Sequence, residues 1–291
     1  MIKSLLQLLR LPQWCKNAFV FMPIFFDGKF TVASLLGRTA VAALAFSLAA
    51  SAVYCLNDVI DRHRDAAHPT KRHRPVASGK VSVPTAVTLA AMCLAGAALL
   101  AGLWLPPQAL WLLAGYFTLN VVYSLCLKHI TVVDVLTVAV FYVLRVLMGG
   151  LAAEVTVSQW LIIMTFLLAL FLTLGKRRDD VLIYDSSNVA VRKVVQTYNI
   201  EFVNMALTMV ATITMVAYLI YTISPEVTAR FHNHYVYGTA IFVLAGLMRY
   251  LQLAIVQKKS DSPTGTLLHD TFTQLCVALW VLSFVIIIYV R

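Results

Sequence analysis

Residues 39–65 read TAVAALAFSLAASAVYCLNDVIDRHRD, an apolar run that passes directly into a cluster of carboxylates. Residues 39–56 carry no charged side chain. A helix needs roughly 20 apolar residues to cross a hydrocarbon core about 30 Å thick. The stretch therefore predicts a transmembrane helix that ends in an acidic motif at one membrane surface.

Apolar runs of this kind recur along the whole chain. Its 291 residues are 60% hydrophobic and 12% charged, with a mean hydropathy of +0.82, a composition outside the soluble globular range. Asp27, Gly28 and Lys29 interrupt the first run, and Pro23 should kink it. We predict an all-α membrane protein, a bundle of nine transmembrane helices in a single polytopic domain over residues 1–291. The predicted spans lie near 17–36, 39–56, 82–104, 107–126, 132–152, 158–174, 201–223, 235–256 and 269–290.

Basic residues are distributed unevenly between the connections. If the N-terminus is cytoplasmic, only Lys29, Arg38, Arg230 and Arg291 face the opposite side, and the cytosolic connections hold most of the rest. The positive-inside rule favours this orientation. The two longest hydrophilic connections, 57–81 and 175–200, then share the cytosolic face. We expect a multi-pass protein of the cytoplasmic membrane whose active cavity opens to the cytosol.

The net charge of +10 does not indicate nucleic acid as a partner, because the basic residues are confined to short loops and form no separate basic domain. The five cysteines lie in or beside apolar stretches without CxxC spacing. Neither a disulfide framework nor a zinc site is predicted.

The acidic motif comprises Asn57, Asp58, Asp61 and Asp65. At about 100° per residue, the three aspartates fall within roughly 60° of one another on a helix. Converging carboxylates repel one another unless a cation lies between them, and oxygen ligands favour Mg²⁺ or Mn²⁺. We predict these four residues as metal ligands, with Asp58 and Asp61 catalytic. The alternative is a solvated helix end paired with nearby arginines.

A basic segment, HPTKRHRPVASGK, follows at residues 68–80. Phosphoryl oxygens need fixed Arg or Lys donors beside a bridging metal. Lys71, Arg72 and Arg74 are therefore predicted to bind substrate, although the positive-inside rule alone could also make this loop basic.

A second charged cluster, GKRRDD, follows the sixth predicted span at residues 175–180. Lys176, Arg177 and Arg178 are predicted to bind substrate. Asp134 and Arg145 lie inside the fifth predicted span, where ionisable residues are costly and usually functional. Substrate contact is one interpretation of this pair. Pairing with each other or with the backbone is the other.

The motif NDxxDxxxD at residues 57–65 resembles the first aspartate-rich motif of the UbiA-type intramembrane prenyltransferases, and the resemblance covers nearly the whole chain. In that superfamily the motif binds Mg²⁺ and a diphosphate, and a second acidic motif, DxxxD, follows the sixth helix. Here that place reads GKRRDD. With RLPQWCKN at 10–17 and HPTKRHRPVASG at 68–79, the sequence is similar to one branch, the decaprenyl-phosphate phosphoribosyltransferases.

This resemblance implies a Mg²⁺-dependent transfer of phosphoribose from 5-phosphoribosyl 1-diphosphate to a polyprenyl phosphate such as decaprenyl phosphate, for cell-envelope glycolipid and arabinan precursors. Lys16, Lys128 and Arg145 are candidates for orienting a phosphate. An aromatic prenyltransferase using a prenyl diphosphate is the nearest alternative, and the missing DxxxD argues against it. A secondary transporter is a third, disfavoured because the charges gather at one surface. A homo-oligomer is compatible with the sequence.

Overall fold

The computed structural model describes residues 2–66, 71–187, 193–231, 233–257 and 269–290. Within these ranges all regular structure is helical. The α-helices are α1 (Ile2–Leu9), α2 (Met22–Phe26), α3 (Ala33–Ile60), α4 (Arg62–Ala66), α5 (Val83–Trp104), α6 (Gln108–Leu125), α7 (Val133–Ala153), α8 (Gln159–Ser187), α9 (Ile200–Ile223), α10 (Pro225–Phe231), α11 (Ala240–Leu251) and α12 (Thr271–Tyr289). Short 3-10 segments cover Leu11–Phe21, Lys71–His73, Leu127–His129, Lys193–Thr197 and Val236–Thr239, and a π-helical turn covers Gln252–Val256.

Seven helical stretches of the described chain are long and apolar enough to cross a membrane. They are Ala33–Ile60, Val83–Trp104, Val133–Ala153, Gln159–Asp185, Ile200–Ile223, Val236–Val256 and Thr271–Tyr289. Each corresponds to a predicted span, and α6 coincides with the further span predicted at 107–126. The chain is a multi-pass membrane protein. Its orientation stays a prediction.

The span predicted at 17–36 is wrong as a single helix. Residues Leu11–Phe21 form a 3-10 segment, α2 ends at Phe26, and α3 begins only at Ala33. Gly28 lies between them with φ of 73°, a left-handed conformation that favours glycine. The interruption predicted at Asp27, Gly28 and Lys29 is thus present, and the count of nine spans stays a prediction.

The chain divides into two compact units. The first unit comprises Met1–Leu127 and Phe141–Val157, and the second comprises Lys128–Val140 and Ser158–Arg291. Each is described by itself below. The single polytopic domain predicted from the sequence stays a prediction.

In the first unit, α3 packs against α5 through small residues. Ala42, Ala45 and Ala49 of α3 are fully buried, and α5 buries alanines at intervals of four and seven residues. Small side chains allow two helix backbones to approach closely where lipid supplies no hydrophobic drive for association. α6 and the second half of α7 complete this core.

Gly149 of α7 marks another close approach in the first unit. A Cβ atom at this position would lie 1.9 Å from the carbonyl oxygen of Val20. Only glycine leaves room there for the backbone of the 3-10 segment Leu11–Phe21 against α7. This contact fixes the N-terminal segment beside α7.

In the second unit, α8 packs on α9, and α11 packs on α12. Polar side chains cap the starts of two of these helices: Asn199 accepts from the Phe202 amide at 2.7 Å, and Asp270 accepts from the Thr273 amide at 2.9 Å. Inside the unit, the Trp280 indole donates to the Tyr218 hydroxyl at 2.7 Å.

Both hydrophilic connections predicted as loops are partly helical, which corrects the sequence interpretation. α3 continues through Asn57 and Asp58 to Ile60, and α4 follows at once. α8 continues to Ser187, so the predicted end at 174 is wrong. The Lys, Arg and Leu residues beyond 174 have high helix propensity, so the helix outlasts the hydrophobic run. Residues 67–70 and 188–192 of these connections lie outside the described part.

Candidate active site

The acidic motif lies at the end of α3, and an arginine from the N-terminal segment contacts it. Asp58 is 2% exposed, and its Oδ1 accepts from Nη2 of Arg10 at 2.7 Å. Nη1 of Arg74 lies 3.5 Å from the same oxygen. A buried carboxylate needs such partners, because desolvation penalises its charge.

Arg74 joins two members of the motif. Its Nη1 donates to Oδ2 of Asp65 at 2.6 Å while lying within ion-pair distance of Asp58. Asp58 and Asp65 thus converge on one cationic group, which confirms that these two predicted ligands come together. The alternative of a helix end paired with nearby arginines is met in part, because Asp65 pairs with Arg74 rather than with Arg62, Arg64 or Arg72, and its side chain is buried rather than solvated.

Arg10 occupies a left-handed backbone conformation, with φ of 52° and ψ of 48°. Residues other than glycine rarely adopt this region, and such strain concentrates at functional sites. The turn directs the guanidinium over the ring of Tyr54, 4.8 Å from its centroid, and onto Asp58.

The segment that follows Arg10 is tied to α3 by a short relay. The Trp14 indole donates to Ser51 Oγ at 3.0 Å, and this hydroxyl donates to the Leu9 carbonyl at 2.9 Å. The relay brackets Arg10 on both sides, so its position on Asp58 is built into the fold.

The other predicted ligands are Asn57 and Asp61. Oδ1 of Asn57 accepts from the Ser124 hydroxyl of α6. Asp61 is half-buried and follows the last residue of α3. Among the described residues, no group of three or more His, Cys, Asp or Glu side chains is arranged as a metal site. The donors at the α3 end nonetheless fit Mg²⁺ chemically, because oxygen ligands dominate and two carboxylates already converge on a single positive charge.

A second group in the first unit contains Lys16 and Arg145. Arg145 is buried, and its Nε donates to Oδ1 of Asn17 at 2.8 Å while its Nη1 donates to the Phe141 carbonyl at 2.7 Å. Burial, followed by the charge of Arg145, lowers the pKa of Lys16 to about 8. The contact with the Phe141 carbonyl agrees with the interpretation in which Arg145 pairs with the backbone.

Asp134 belongs to a separate ionic network in the second unit. It is fully buried and pairs with Nη2 of Arg177, whose Nη1 donates to Asp180 Oδ2 at 2.8 Å. The Tyr198 hydroxyl also donates to Asp134, at 2.7 Å. Burial, followed by this hydrogen bond, raises the pKa of Tyr198. Arg177 therefore has two carboxylate partners within the protein, and the substrate contact predicted for it stays a prediction.

The remaining predicted residues are distributed over both units. Arg178 is buried, and its Nε donates to Oδ1 of Asn204 at 2.7 Å. Lys176 is exposed on α8, and Lys128 is half-buried in the 3-10 segment Leu127–His129. Lys71 and Arg72 lie in the 3-10 segment Lys71–His73, with Arg72 exposed. The motif residues His68, Pro69 and Thr70 lie outside the described part.

Several residues of these networks were not among the predicted site residues. Arg10 and Asn17 belong to the motif RLPQWCKN, so that motif could have identified them. Asp180 belongs to the cluster GKRRDD and lies three residues from its partner Arg177. Ser124 and Tyr198 carry no comparable signal, because their roles depend on contacts between distant segments.

Residues 19–182 match the UbiA prenyltransferase family, and this range includes the α3 motif. The chain belongs to the UbiA prenyltransferase family. Among curated members, it is 32% identical over 230 residues to a decaprenyl-phosphate phosphoribosyltransferase from Mycolicibacterium smegmatis, covering 78% of this chain and 72% of that one. It is 27% identical over 291 residues to the protein of the same name from Corynebacterium glutamicum, covering 99% and 87%.

Solved structures of family members share the fold. A UbiA homolog from Archaeoglobus fulgidus, bound to GPP and Mg²⁺, superimposes with a TM-score of 0.67 at 17% identity, covering 98% of this chain and 99% of that chain. An apo UbiA homolog from Aeropyrum pernix K1 gives a TM-score of 0.67 at 15% identity, covering 93% and 97%.

Proposed function

We propose that this protein transfers the 5-phosphoribosyl group from 5-phosphoribosyl 1-diphosphate to a polyprenyl phosphate, releasing diphosphate. Its similarity to proteins named decaprenyl-phosphate phosphoribosyltransferase supports this transfer, and the UbiA family is consistent with it. In the reaction the bond from C1 to the diphosphate oxygen breaks and a bond from C1 to the acceptor phosphate oxygen forms.

The observation that carries this proposal in the structure is the mixed charge at the end of α3. Asp58 and Asp65 are interleaved with Arg10 and Arg74, so carboxylates and guanidinium groups are presented together. A diphosphate requires both, because its oxygens bind a divalent metal and also accept hydrogen bonds from arginine. Neither a carboxylate cluster nor a basic loop alone would supply this combination.

Asp58, Asp65 and Asn57, with Asp61 of the same motif, would hold the metal. Bound there, Mg²⁺ supplies neutralisation of the charge that develops on the leaving diphosphate. A related structure of the family contains GPP and Mg²⁺, which supports a divalent ion in this role, with Mn²⁺ a chemically similar substitute. Dependence on Mg²⁺ is part of the proposal.

The arginines hold and orient the diphosphate. Arg10 is fixed by Tyr54 and by its bond to Asp58, so it loses little freedom when a phosphate oxygen binds beside it. Arg74 lies between two carboxylates and can remain paired while it donates to the substrate. The acceptor phosphate is already an anion at neutral pH, so the transfer requires neither a protein nucleophile nor a strong general base.

We place the active site on the cytoplasmic side of the cell membrane. The excess of Lys and Arg in the connections that follow α3 and α8 supports this orientation. It also agrees with a water-soluble donor that is supplied from the cytosol. Lys71, Arg72, Lys128, Lys176 and Arg178 are proposed as further contacts to substrate phosphates, whereas Arg177 already has two carboxylate partners and is proposed to act mainly in stability.

A transfer assay with the purified protein tests the function. Protein in detergent is incubated with Mg²⁺, phosphoribosyl diphosphate labelled in the ribose, and decaprenyl phosphate. We expect label in the organic extract, none after chelation of the metal, and none when decaprenol replaces its phosphate. A parallel reaction contains a prenyl diphosphate and an aromatic acceptor. Turnover there, with no labelled lipid in the first reaction, would show an aromatic prenyltransferase instead.

A further inference from the structure

Arg145 is a buried cation that has no negative partner within the described part of the chain. The residue is 4% exposed, and its hydrogen bonds to Asn17 and to the Phe141 carbonyl end on neutral oxygens. Among the residues the structure describes, neither Arg145 nor Lys16 takes part in an ion pair. Burying a charge without a counter-charge is costly and usually reflects a ligand.

The surroundings hold the guanidinium in one orientation. It lies 5.0 Å from the centroid of the Phe46 ring, 5.6 Å from that of Tyr116 and 5.2 Å from that of Tyr142. Asn17 is itself fixed, because its amide nitrogen donates to Ser47 Oγ at 2.6 Å. The rings and the amide stabilise the cation partly. They do not neutralise it.

Lys16 brings a second positive charge to the same place. It is half-buried, and the charges of Arg145 and of Arg10 both act on it. Two cations side by side repel each other, which disfavours their proximity unless an anion binds between them. Lys16 lies on the 3-10 segment Leu11–Phe21 and follows Arg10, the N-cap of that segment and the partner of Asp58, by six residues. One segment with its cap thus carries a cation of this group and a cation of the proposed donor site.

The position of Lys16 and Arg145 favours binding of the lipid acceptor over binding of the sugar donor. Arg145 lies over the ring of Phe46. Phe46 is twelve residues before Asp58 on α3, about 18 Å along the helix axis at about 1.5 Å per residue. It belongs to the apolar core of the first unit together with Tyr116 and Phe141. A phosphate reached through apolar surroundings suits a lipid, whereas a sugar diphosphate suits the polar end of the helix.

We propose that Lys16 and Arg145 bind the phosphate of the lipid acceptor, at a subsite separate from the diphosphate site at Asp58. This inference rests on the proposed phosphoribosyl transfer, since it assigns one of that reaction's two substrates. Lys16, on the 3-10 segment that Arg10 caps, directs an acceptor oxygen toward the sugar, and Arg145 holds the phosphate from the apolar side.

Direct binding tests the subsite without turnover. Purified protein is titrated with farnesyl phosphate, with farnesol and with ribose 5-phosphate, using a radiolabelled farnesyl phosphate displacement assay. We expect farnesyl phosphate to bind at least about tenfold more tightly than farnesol, because two charge-assisted contacts reach only the phosphate. Ribose 5-phosphate and inorganic phosphate should not displace it. Displacement by ribose 5-phosphate would mean a donor subsite and overturn the proposal.

Three variants give the comparison. Lys16→Gln and Arg145→Gln should each weaken farnesyl phosphate binding by about tenfold or more and leave farnesol binding unchanged. Lys3→Gln, a charge-matched change at an exposed position of α1, should bind like wild type. If Arg145→Gln is not monodisperse, the test rests on Lys16→Gln, because Lys16 is only half-buried. Unchanged farnesyl phosphate affinity in a folded Lys16→Gln protein contradicts the subsite.

The two proposals can fail separately. If wild-type protein binds farnesyl phosphate through Lys16 but labels no lipid, the proposed reaction is refuted and the lipid-phosphate site stands. If wild-type protein labels decaprenyl phosphate and Lys16→Gln leaves the KM for the lipid unchanged, the proposed reaction stands and the proposed subsite is refuted.

Discussion

Nη2 of Arg10 lies 2.7 Å from Oδ1 of Asp58, although the two residues are 48 positions apart. The contact connects the motif RLPQWCKN at the N-terminus with the carboxylate motif at the end of α3. A stretch that is similar to one branch of the family and the aspartate-rich motif that resembles the whole superfamily are thereby joined in a single ionic group. A change in either stretch should therefore affect the same substrate.

Replacement of Arg10 should weaken donor binding. Arg10→Gln removes a charge-assisted contact, so we expect the KM for phosphoribosyl diphosphate to rise by about tenfold or more, with the KM for the lipid nearly unchanged. Initial rates at varied donor concentration measure this. Arg38→Gln is the matched control, since Arg38 pairs with the exposed Glu154 in the same unit. An unaltered donor KM in Arg10→Gln would exclude Arg10 from the site.

Neutralisation of Asp58 should abolish transfer. In Asp58→Asn one oxygen remains, but the negative charge that would hold a metal and orient two arginines is lost, and we expect a decrease in kcat of about 100-fold or more. The control is Asp27→Asn, at the end of α2, where the carboxylate pairs with exposed Lys29. Rates and size-exclusion profiles are measured together. A monodisperse Asp58→Asn protein with normal kcat contradicts the assignment.

The Asp134–Arg177 pair should contribute mainly to stability. Both side chains are buried, so Arg177→Met leaves an uncompensated carboxylate and should cost about 3–5 kcal/mol of unfolding free energy. Thermal unfolding in detergent should show a clearly lowered midpoint. The double variant Arg177→Met/Asp134→Leu should recover much of the loss. A single variant with an unchanged midpoint but no activity would indicate substrate contact instead.

The pH dependence of the reaction should report the deprotonation of Lys16. Its pKa of about 8 reflects burial first and the charge of Arg145 second, with Arg10 adding in the same direction and Cys15 opposing it. We expect kcat/KM for the lipid to fall above about pH 8, because the ammonium loses its proton in the free enzyme. Lys16→Arg should remove this alkaline limb, since a guanidinium stays charged. A wild-type profile that stays level to pH 9.5 contradicts the prediction.

The same shift has a consequence for stability, with the opposite sign from a typical salt-bridged lysine. The folded-state pKa of Lys16 lies below the ordinary value of 10.5, so the unfolded chain binds the proton more tightly. The charge therefore destabilises the fold below about pH 8, and this contribution is relieved as the pH rises toward the unfolded value. Lys16→Gln should accordingly raise the unfolding midpoint at pH 7.

Gly149 should tolerate no side chain. In Gly149→Ala the added Cβ would meet the Val20 carbonyl at 1.9 Å, so α7 and the N-terminal segment must separate. We expect a severe loss of monodisperse protein. Gly115→Ala, on an open face of α6, should be neutral or stabilise by up to about 1 kcal/mol, as alanine does inside helices. Equal yields of the two variants would contradict the close packing.

Apolar length was sufficient to predict most of the membrane helices. From α5 to α12, predicted and observed limits of the spans agree closely, except at the end of α8. There Lys176, Arg177 and Arg178 end the hydrophobic run without ending the helix. Hydropathy reports where a chain leaves lipid, whereas hydrogen bonding and propensity decide where a helix stops. The span predicted at 17–36 failed for a related reason, because its apolar residues form short helices.

The site was predictable in its residue types and less so in its partners. Periodicity placed Asp58 and Asp65 together, and the structure agrees. It could not pair Asp134 with Tyr198, which lies 64 positions away and contributes a hydroxyl rather than a charge. Contacts of this kind depend on how helices pack, and no local spacing in the sequence encodes them.

The alanine interface between α3 and α5 determines which parts of the site can move. Alanine has no rotamers to exchange, so the two helices can shift only as rigid bodies, and Asp58 moves only with α3. Arg10 is held beside it by the relay through Ser51, whereas Arg74 lies in the loop after a 3-10 turn. Admission of the donor should therefore be a motion of Arg74 around a stationary carboxylate and Arg10, and its rate should respond to changes in that loop rather than in the helices.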